Sequence, residues 1–289
     1  MATTPHDAPL SAPRAGSHAG LQYGPQLGLT RMLRPDWPAP AGIHALMSTR
    51  QGGVSAAPFD SLNLRPPALG GDAVDEPAAV LENQRRFSRA LGAQPVWLNQ
   101  VHGHTVVRLG AEHLRPGAGL PVADASVCTE PGIACTVLVA DCLPVLLCSA
   151  NGRAVGAAHA GWRGLAGGVL DNTVAALCQA AGCGPDGLLA WLGPCIGPDA
   201  FEVGADVLQA FHAEPCLADQ EHFVYRLRAD GQPRWRADLA GLARDRLRAL
   251  GVQRVSGGRW CTMADASRFF SYRRDAATGR MAAAIARRG

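Results

Sequence analysis

Three apolar stretches of the sequence each stop at a side chain that binds metal ions well. The interruptions are His102 in NQVHGH, Cys142 in VADCLP and His159 in AAHAGW. Each has glycine or proline nearby, which puts it at the end or kink of a predicted strand, on rigid support. Two imidazoles and one thiolate suit zinc better than magnesium or calcium. Three protein ligands would leave a fourth position for water, which is typical of catalytic rather than structural zinc.

Spacing alone does not establish such a site. The three residues are far apart in the sequence, and no compact C-x-x-C pair accompanies them. Cys142 is equally consistent with a small buried side chain, and His159 with a histidine that bonds a loop backbone. The residues by themselves therefore leave a metal site and ordinary packing both open.

Composition excludes several other kinds of site. The chain has 289 residues, and all 27 of its basic residues are arginine. A Schiff-base lysine and a P-loop lysine are therefore ruled out. Any anion must be held by arginine, by backbone amides or by a metal. The formal net charge is only +3 and the arginines are scattered, which argues against a nucleic-acid partner.

Targeting signals are missing from the sequence pattern. Apolar runs are too short to span a bilayer, and the first residues lack the charged and apolar regions of a signal peptide. The nine cysteines are odd in number and show no small-scaffold spacing. We expect a cytoplasmic protein with reduced cysteines and no membrane partner.

The order of segments predicts the fold class. Residues 1–30 have no apolar period and are predicted to be a disordered tail, and residues 31–289 are predicted to form one catalytic domain. Strand-like and helix-like segments alternate, which predicts an α/β domain, with α+β as the alternative. Helices are predicted over 75–92 (capped by Asp75 and ended by Gly92), 164–182 and 235–251. Strands are predicted over 42–50, 125–130, 153–160, 187–197 and 252–258. Two further segments, 96–109 and 134–150, are each predicted to contain two strand-like pieces with a break between them.

Several longer motifs carry a resemblance to a known family. They are STRQGGVS, SLNL, WLNQVHG, VLVADCLPVLL, AAHAGWRG, WLGPCIGPDAFEVG and FFSYRRDAATGRMA. In this order they resemble the YfiH family, whose members are called laccase-domain or polyphenol oxidase proteins, peptidoglycan editing factors and purine nucleoside phosphorylases. The match runs from about Arg34 to the C-terminus. It implies a single-domain layered sandwich of mixed β-sheet and helices, a monomer, and a zinc bound by His102, Cys142 and His159.

The resemblance also directs attention to residues around the metal. Cys142 and His159 are candidate catalytic residues. Asp124, in the motif ADA, is a candidate for orienting a zinc-bound histidine or for acid–base catalysis, and equally for capping a turn. Arg50, Asn63 and Arg163 are the candidate substrate-binding residues, because an anionic substrate in this lysine-free chain would need arginine.

Three activities follow from the family names. The first is zinc-dependent phosphorolysis of adenosine, inosine and methylthioadenosine, accompanied by deamination of adenosine, with small-molecule nucleoside and phosphate as partners. The second is an amidase that removes a misincorporated L-serine from a UDP-MurNAc cell-wall precursor, with Cys142 and His159 as a nucleophile pair. The third is a copper polyphenol oxidase. It is disfavoured because multicopper oxidases need many paired histidines, although Cu²⁺ could occupy the site in vitro.

Overall fold

The computed structural model describes residues 32–70 and 74–288. The predicted tail over residues 1–30 lies outside the described residues. The described part of the chain contains two large sheets, a smaller three-stranded sheet and six α-helices. This arrangement confirms the predicted α/β class with mixed sheets. Among the described residues, no helix has both the length and the apolar character needed to cross a membrane.

Thirteen strands and six helices make up the described fold. The strands are β1 (Ile43–Met47), β2 (Gln94–Val96), β3 (Val106–Leu109), β4 (Ala125–Cys128), β5 (Ile133–Val139), β6 (Leu143–Ser149), β7 (Val155–Ala160), β8 (Leu188–Leu192), β9 (Glu202–Val203), β10 (Phe223–Leu227), β11 (Pro233–Ala237), β12 (Arg254–Gly257) and β13 (Met281–Arg287). The helices are α1 (Pro77–Leu91), α2 (Trp162–Ala166), α3 (Val169–Ala181), α4 (Ala205–Ala210), α5 (Leu239–Ala249) and α6 (Tyr272–Asp275).

The two large sheets are both mixed. One has six strands in the order β12-β8-β6-β7-β4-β3, with antiparallel pairs in its centre and a parallel pair at each edge. The other has four strands in the order β1-β13-β5-β2, of which only β2 and β5 are parallel. Strands β9, β10 and β11 form the small antiparallel sheet.

The alternation of side chains along β5 shows how the layers stack. Cys135 and Val137 belong to the core that also contains residues of the six-stranded sheet, whereas Ala134 and Leu138 belong to a second core with Phe87 of α1. Strand β5 is therefore covered on both faces, which explains its continuous apolar sequence. A third core joins the other face of the six-stranded sheet to α3 and α5.

Helix α1 forms where the sequence predicts a helix, but its predicted cap is wrong. Its N-cap residue is Glu76, without a side-chain hydrogen bond. The Asp75 carboxylate instead accepts hydrogen bonds from Ser55 Oγ at 2.6 Å and Asn63 Nδ2 at 3.0 Å, so it serves a long-range contact. Gly92 ends the helix in the left-handed conformation, as predicted.

The predicted helix over 164–182 is two helices in the structure. The chain turns between α2 and α3 at Gly167 and Gly168, and Gly168 has a φ of +92°. An L-side chain rarely adopts this φ, so the glycine permits a break that the apolar period alone does not reveal. The break lets the short α2 follow directly from β7 while α3 packs against the sheet.

Candidate metal centre

The three predicted metal ligands come together at one end of the core between the large sheets. His102 lies on the connection from β2 to β3 and Cys142 on the connection from β5 to β6, and both connections run from the four-stranded to the six-stranded sheet. His159 lies within β7, where alternation puts its side chain on the same face as the core residues Val155 and Ala157. The two connections between the sheets and strand β7 thus supply the three candidate ligands.

The positions of the donor atoms fit a metal ion. The ligand atoms of His102, Cys142 and His159 all lie within 4.8 Å of one another, and Cys142 Sγ lies 3.7 Å from His102 Nε2. Tetrahedral zinc with nitrogen and sulfur ligands needs donor atoms roughly 3.3–3.8 Å apart. His159 is buried, Cys142 is half-buried and His102 is exposed, so the group opens toward solvent on the His102 side.

Asp124 holds two of these ligands in place. Its Oδ1 lies 2.8 Å from His159 Nδ1, which leaves Nε2 as the nitrogen of that ring available to a metal. The same carboxylate accepts hydrogen bonds from the backbone N–H groups of Val101 (3.2 Å), His102 (2.9 Å) and Gly103 (2.7 Å). Asp124 is fully buried and does not line the cavity beside the metal ligands. Its contacts are those of a positioning residue.

Two residues of the site have unusual backbone conformations. His102 has a φ of +60° and Asp141, next to Cys142, a φ of +97°. Such angles are uncommon for residues with a side chain and persist only where surrounding contacts hold them. Asp141 is held by hydrogen bonds from Thr262 Oγ1 (2.6 Å), Ser271 Oγ (3.0 Å) and the Arg273 backbone N–H (2.6 Å). The turn that presents Cys142 is therefore anchored to the C-terminal part of the domain.

The charges of the three ligands depend on one another. Burial would raise the pKa of the Cys142 thiol, but the positive charge of His159 and a hydrogen bond with His102 outweigh burial and lower this pKa to about 6. Burial would lower the pKa of His159, but the Cys142 thiolate and Asp124 outweigh it and raise that pKa to about 9. At neutral pH the metal-free site therefore holds a thiolate beside an imidazolium.

Metal binding is expected to release one proton at pH 7.5. A metal needs the neutral imidazole of His159, whose metal-free pKa is about 9, whereas the Cys142 thiol, with a pKa of about 6, is already ionised. Apparent affinity should rise about tenfold per pH unit between these two values and level off above the higher one. Calorimetry of Zn²⁺ binding in two buffers of different protonation enthalpy measures the proton directly. Release of no proton would show that His159 is neutral in the metal-free site.

Gly161 lies against the metal ligands and leaves no room for a side chain. A Cβ atom built at this position would lie 2.9 Å from His102 Cδ2 and 3.0 Å from Cys142 Sγ. Its φ of −64° is open to any residue, so the restriction is one of space. The glycine after the His-Ala pair thus allows the start of α2 to approach the site closely.

Replacing Gly161 with alanine should weaken metal binding roughly tenfold, because overpacking of about 1–3 kcal/mol displaces two ligands. Metal affinity is measured by competition with a chromophoric chelator. Gly119→Ala is the matched control, because a Cβ at Gly119 meets nothing within 4 Å. Equal affinities for the two variants would contradict the close approach of Gly161 to the ligands.

A cavity of about 550 Å³ opens beside the metal ligands. A cavity of this size accommodates a small organic ligand such as a nucleoside. Its wall includes the aromatic side chains of Trp162, Phe201 and Tyr272, and it contains all three metal ligands. Gln100, another wall residue, is tied to the Leu138 backbone by hydrogen bonds in both directions and keeps a fixed position.

The predicted substrate residues do not line this cavity. Arg50 forms an ion pair with the Asp60 carboxylate at 3.3 Å, and its Nε donates to the Asp60 carbonyl oxygen at 3.1 Å. Arg163 is exposed, and its guanidinium stacks on the ring of Trp162, 4.3 Å from the ring centre. The sequence motifs identify both arginines but do not show which way their side chains point.

Asn63 occupies a different position from the predicted substrate contact. It is buried, and its Oδ1 accepts hydrogen bonds from the backbone N–H groups of Arg65 (3.2 Å) and Arg280 (2.9 Å). Both of these arginines line the cavity, and sequence reasoning missed them. Arg280 lies in the motif ATGRMA, so the sequence could have identified it as a candidate. Arg65 lies just after SLNL and has no signal of its own.

Comparison with protein families gives one match over most of the chain. Residues 44–288 match a family model described as multi-copper polyphenol oxidoreductase laccase. A purine nucleoside phosphorylase of Pseudomonas aeruginosa is 51% identical over 257 residues, which cover 88% of this chain and 97% of that protein. The purine nucleoside phosphorylase YfiH of Escherichia coli is 46% identical over 259 residues, with 89% and 99% covered.

Solved structures give the same result for the fold. A Neisseria meningitidis protein of family DUF152 superposes with a TM-score of 0.77 at 46% identity, covering 90% of this chain and all of that one. YlmD from Geobacillus stearothermophilus also has a TM-score of 0.77, at 31% identity, with 91% and 98% covered. The similarity extends over nearly the whole described domain in each comparison.

Proposed function

This chain belongs to the YfiH family, and from that premise we propose that it is a zinc-dependent purine nucleoside phosphorylase. The observation that carries the proposal is the identity of up to 51% with proteins named purine nucleoside phosphorylases, over nearly their full length. The geometry supports it, because the metal ligands open into a cavity of about 550 Å³ with aromatic walls. A purine base and a ribose both fit such a wall.

The donor set favours zinc over copper as the resident metal. Two imidazoles and a thiolate with room for a further ligand match catalytic zinc. A multicopper oxidase needs several copper sites built from many histidines. Within the described residues, the other group of potential ligands is Glu221, His222 and Asp245, which contributes one histidine and two carboxylates. When bound, the zinc would supply a Lewis acid and lower the pKa of a coordinated water.

The proposed reaction is a substitution at the anomeric carbon of the nucleoside. A phosphate oxygen forms a bond to C1′ of the ribose while the bond from C1′ to N9 of the purine breaks. The electron pair of the broken bond goes to the purine, which takes up a proton, and the products are the free base and ribose 1-phosphate. Trp162, Phe201 and Tyr272 provide apolar surface for the base, and Asp124 fixes the ring of His159.

Adenosine deamination is the second activity that we assign to this cavity. Water adds at C6 of the adenine and ammonia leaves, which converts adenosine to inosine. The reaction needs the base rather than the ribose near the metal ligands. One cavity would therefore bind adenosine in two orientations, and the half-exposed Trp162 lines that cavity.

One observation favours an alternative, the amidase that acts on a serine-bearing cell-wall precursor. The lowered pKa of Cys142 and the adjacent His159 are the properties of a cysteine nucleophile with its base. A thiolate bound to zinc is a poor nucleophile, so the two roles of Cys142 exclude each other. Activity that requires the metal supports the phosphorylase, and activity of metal-free protein supports the amidase.

Product analysis tests the proposed function. Protein of measured zinc content is incubated with adenosine or inosine, with and without phosphate, beside a Cys142→Ala variant. We expect adenine or hypoxanthine with ribose 1-phosphate only when phosphate is present, and inosine from adenosine in both cases. The variant should form none of them. If zinc-loaded wild-type protein yields no product from either nucleoside, the proposed function is wrong, and the serine amide becomes the substrate to examine.

A further inference from the structure

Two arginines of the cavity wall are held side by side by one buried side chain. Asn63 Oδ1 accepts hydrogen bonds from the backbone N–H groups of both Arg65 and Arg280, and the Leu64 backbone N–H donates to the Arg280 carbonyl oxygen at 3.0 Å. Asn63 is itself fixed by a hydrogen bond to Asp75. The segment after β1 and the start of β13 are thereby joined where both arginines face the cavity.

Each of these two guanidinium groups uses only its Nη1 as a hydrogen-bond donor to the described protein. Arg65 Nη1 donates to the Gly70 carbonyl oxygen at 2.5 Å, and Arg280 Nη1 donates to the carbonyl oxygens of Thr278 (3.0 Å) and Gly279 (3.2 Å). Within the described residues, the Nε and Nη2 groups of both arginines have no hydrogen-bond acceptor. A guanidinium has five N–H donors, and its Nε–Nη2 edge fits two oxygens of an oxyanion.

The charge of this pair is only partly opposed within the described protein. Neither arginine forms an ion pair with a carboxylate in residues 32–70 or 74–288. Burial and then the charge of Arg65 lower the pKa of Arg280, and the opposing effect of Cys142 and Asp141, which raise it, is smaller. Two like charges that are close together and partly shielded from water repel each other, and an anion between them would remove that repulsion.

Other arginines of the domain show what a structural role looks like. Arg274 pairs with Asp275 at 2.7 Å and also donates to the carbonyl oxygens of Thr262 and Phe269. Arg268 pairs with Asp265. Both side chains form an ion pair with a carboxylate and lie outside the cavity wall. Arg65 and Arg280 differ from them in both respects.

We propose that Arg65 and Arg280 form the oxyanion subsite of the cavity and hold inorganic phosphate beside the metal ligands. The assignment rests on the proposed phosphorolysis for the choice of phosphate among oxyanions. It follows from the unused guanidinium edges, from the lack of a carboxylate ion pair among the described residues and from the shared cavity. In a chain without lysine, arginine is the one long cationic side chain available for this purpose. Asn63 acts in this subsite as a positioning residue.

Binding of inorganic phosphate alone tests the subsite without any turnover. Zinc-loaded wild-type protein, Arg65→Gln and Arg280→Gln are titrated with phosphate by calorimetry. Arg89→Gln on the exposed face of α1 is the matched control. We expect each cavity variant to weaken phosphate binding roughly tenfold or more, because each loses charge-assisted hydrogen bonds. The control should bind as the wild type does. Arg280→Lys keeps the charge and covers the case in which Arg280→Gln does not fold.

Kinetics then distinguish failure of this subsite from failure of the proposed function. With inosine as substrate, Arg65→Gln should raise the KM for phosphate at least tenfold, with the KM for inosine within twofold and zinc content unchanged. An unchanged KM for phosphate in an active enzyme would overturn the subsite and leave the function standing. Phosphate binding that depends on both arginines, without any nucleoside product, would support the subsite and refute the function.

Uridine 5′-monophosphate is the second probe, because its phosphate is attached to a nucleoside. Weaker binding of this nucleotide than of free phosphate supports the assignment to inorganic phosphate. Tighter binding that is lost in Arg65→Gln would overturn it and assign the two arginines to a phosphorylated substrate. Wild-type protein that binds neither probe at millimolar concentration would also overturn the proposal.

Discussion

Replacement of Cys142 by alanine is expected to abolish metal binding and to reduce inosine phosphorolysis by roughly 10³-fold or more. The thiolate supplies one of only three protein ligands, and a catalytic metal contributes several kcal/mol to transition-state stabilisation. Zinc content by atomic emission and the rate of hypoxanthine formation are the measurements. The fold should persist, because Cys142 is half-buried and alanine leaves the Asp141 contacts in place.

The same loss would follow if Cys142 were a nucleophile, so chelation is the necessary companion experiment. A chelator should inactivate the wild-type enzyme, and Zn²⁺ should restore activity. Full activity of metal-free wild-type protein would contradict the ligand role of Cys142. Alkylation of Cys142 by iodoacetamide gives an independent readout. Bound zinc should protect the thiol, and removal of the zinc should expose a reactive thiolate.

Replacement of Asp124 by asparagine is expected to lower zinc affinity by about 10–100-fold. The carboxylate accepts a hydrogen bond from His159 Nδ1 and orients the ring, and its charge makes the histidine a better ligand. Burial would raise the pKa of Asp124, but hydrogen bonds from His159 and the Gly103 backbone outweigh it and lower this pKa. Asparagine keeps an acceptor for the backbone while losing the charge. A chelator competition assay measures the affinity.

Asp245→Asn provides the matched control. Its carboxylate also contacts a histidine, His222, at 2.7 Å, but the pair lies half-exposed and away from the cavity. The zinc affinity of the His102, Cys142 and His159 group should be unchanged in this variant. If Asp124→Asn and Asp245→Asn bind zinc equally well, the positioning role of Asp124 is wrong. Thermal unfolding of both variants separates a loss of affinity from a general loss of stability.

The candidate metal ligands are recognisable in the sequence because their chemical types are conspicuous. His102, Cys142 and His159 each interrupt an apolar run, and polar interruptions of strands are rare enough to stand out. The resemblance to the YfiH family then selected the same three residues. Their convergence depends on two crossings between sheets, which no local pattern reveals. The sequence therefore predicts which side chains could hold a metal but not how the fold brings them together.

The arginines that line the cavity are harder to predict from the sequence. Arg50 and Arg65 are both arginines near loop turns, and only the three-dimensional contacts show that one is paired with Asp60 and the other faces the cavity. Asn63 is predicted to bind substrate, yet its amide oxygen accepts hydrogen bonds from the backbone N–H groups of two arginines. Tertiary contacts decide how polar side chains are oriented. The periodicity of apolar residues in the sequence carries no information about these contacts.

Secondary structure was predictable where the apolar period was strong. The segments corresponding to β5, β6, β7 and α1 follow directly from the sequence. Strand β13 was not predicted, because its core is MAAAIA and alanine is uncommon in strands. It forms because the small side chains let β13 lie between two strands and two layers at once. Close packing there overrides the weak strand preference of alanine.

The two crossings between sheets have a consequence for when the protein acquires its metal. The connection that carries Cys142 leaves β5, and β5 pairs along its length with β13, which follows all three candidate ligands in the sequence. During synthesis β13 therefore emerges after His102, Cys142 and His159, and β5 lacks this partner until then. We expect zinc to bind after β13 has paired with β5, instead of guiding the folding of the segments that come before it.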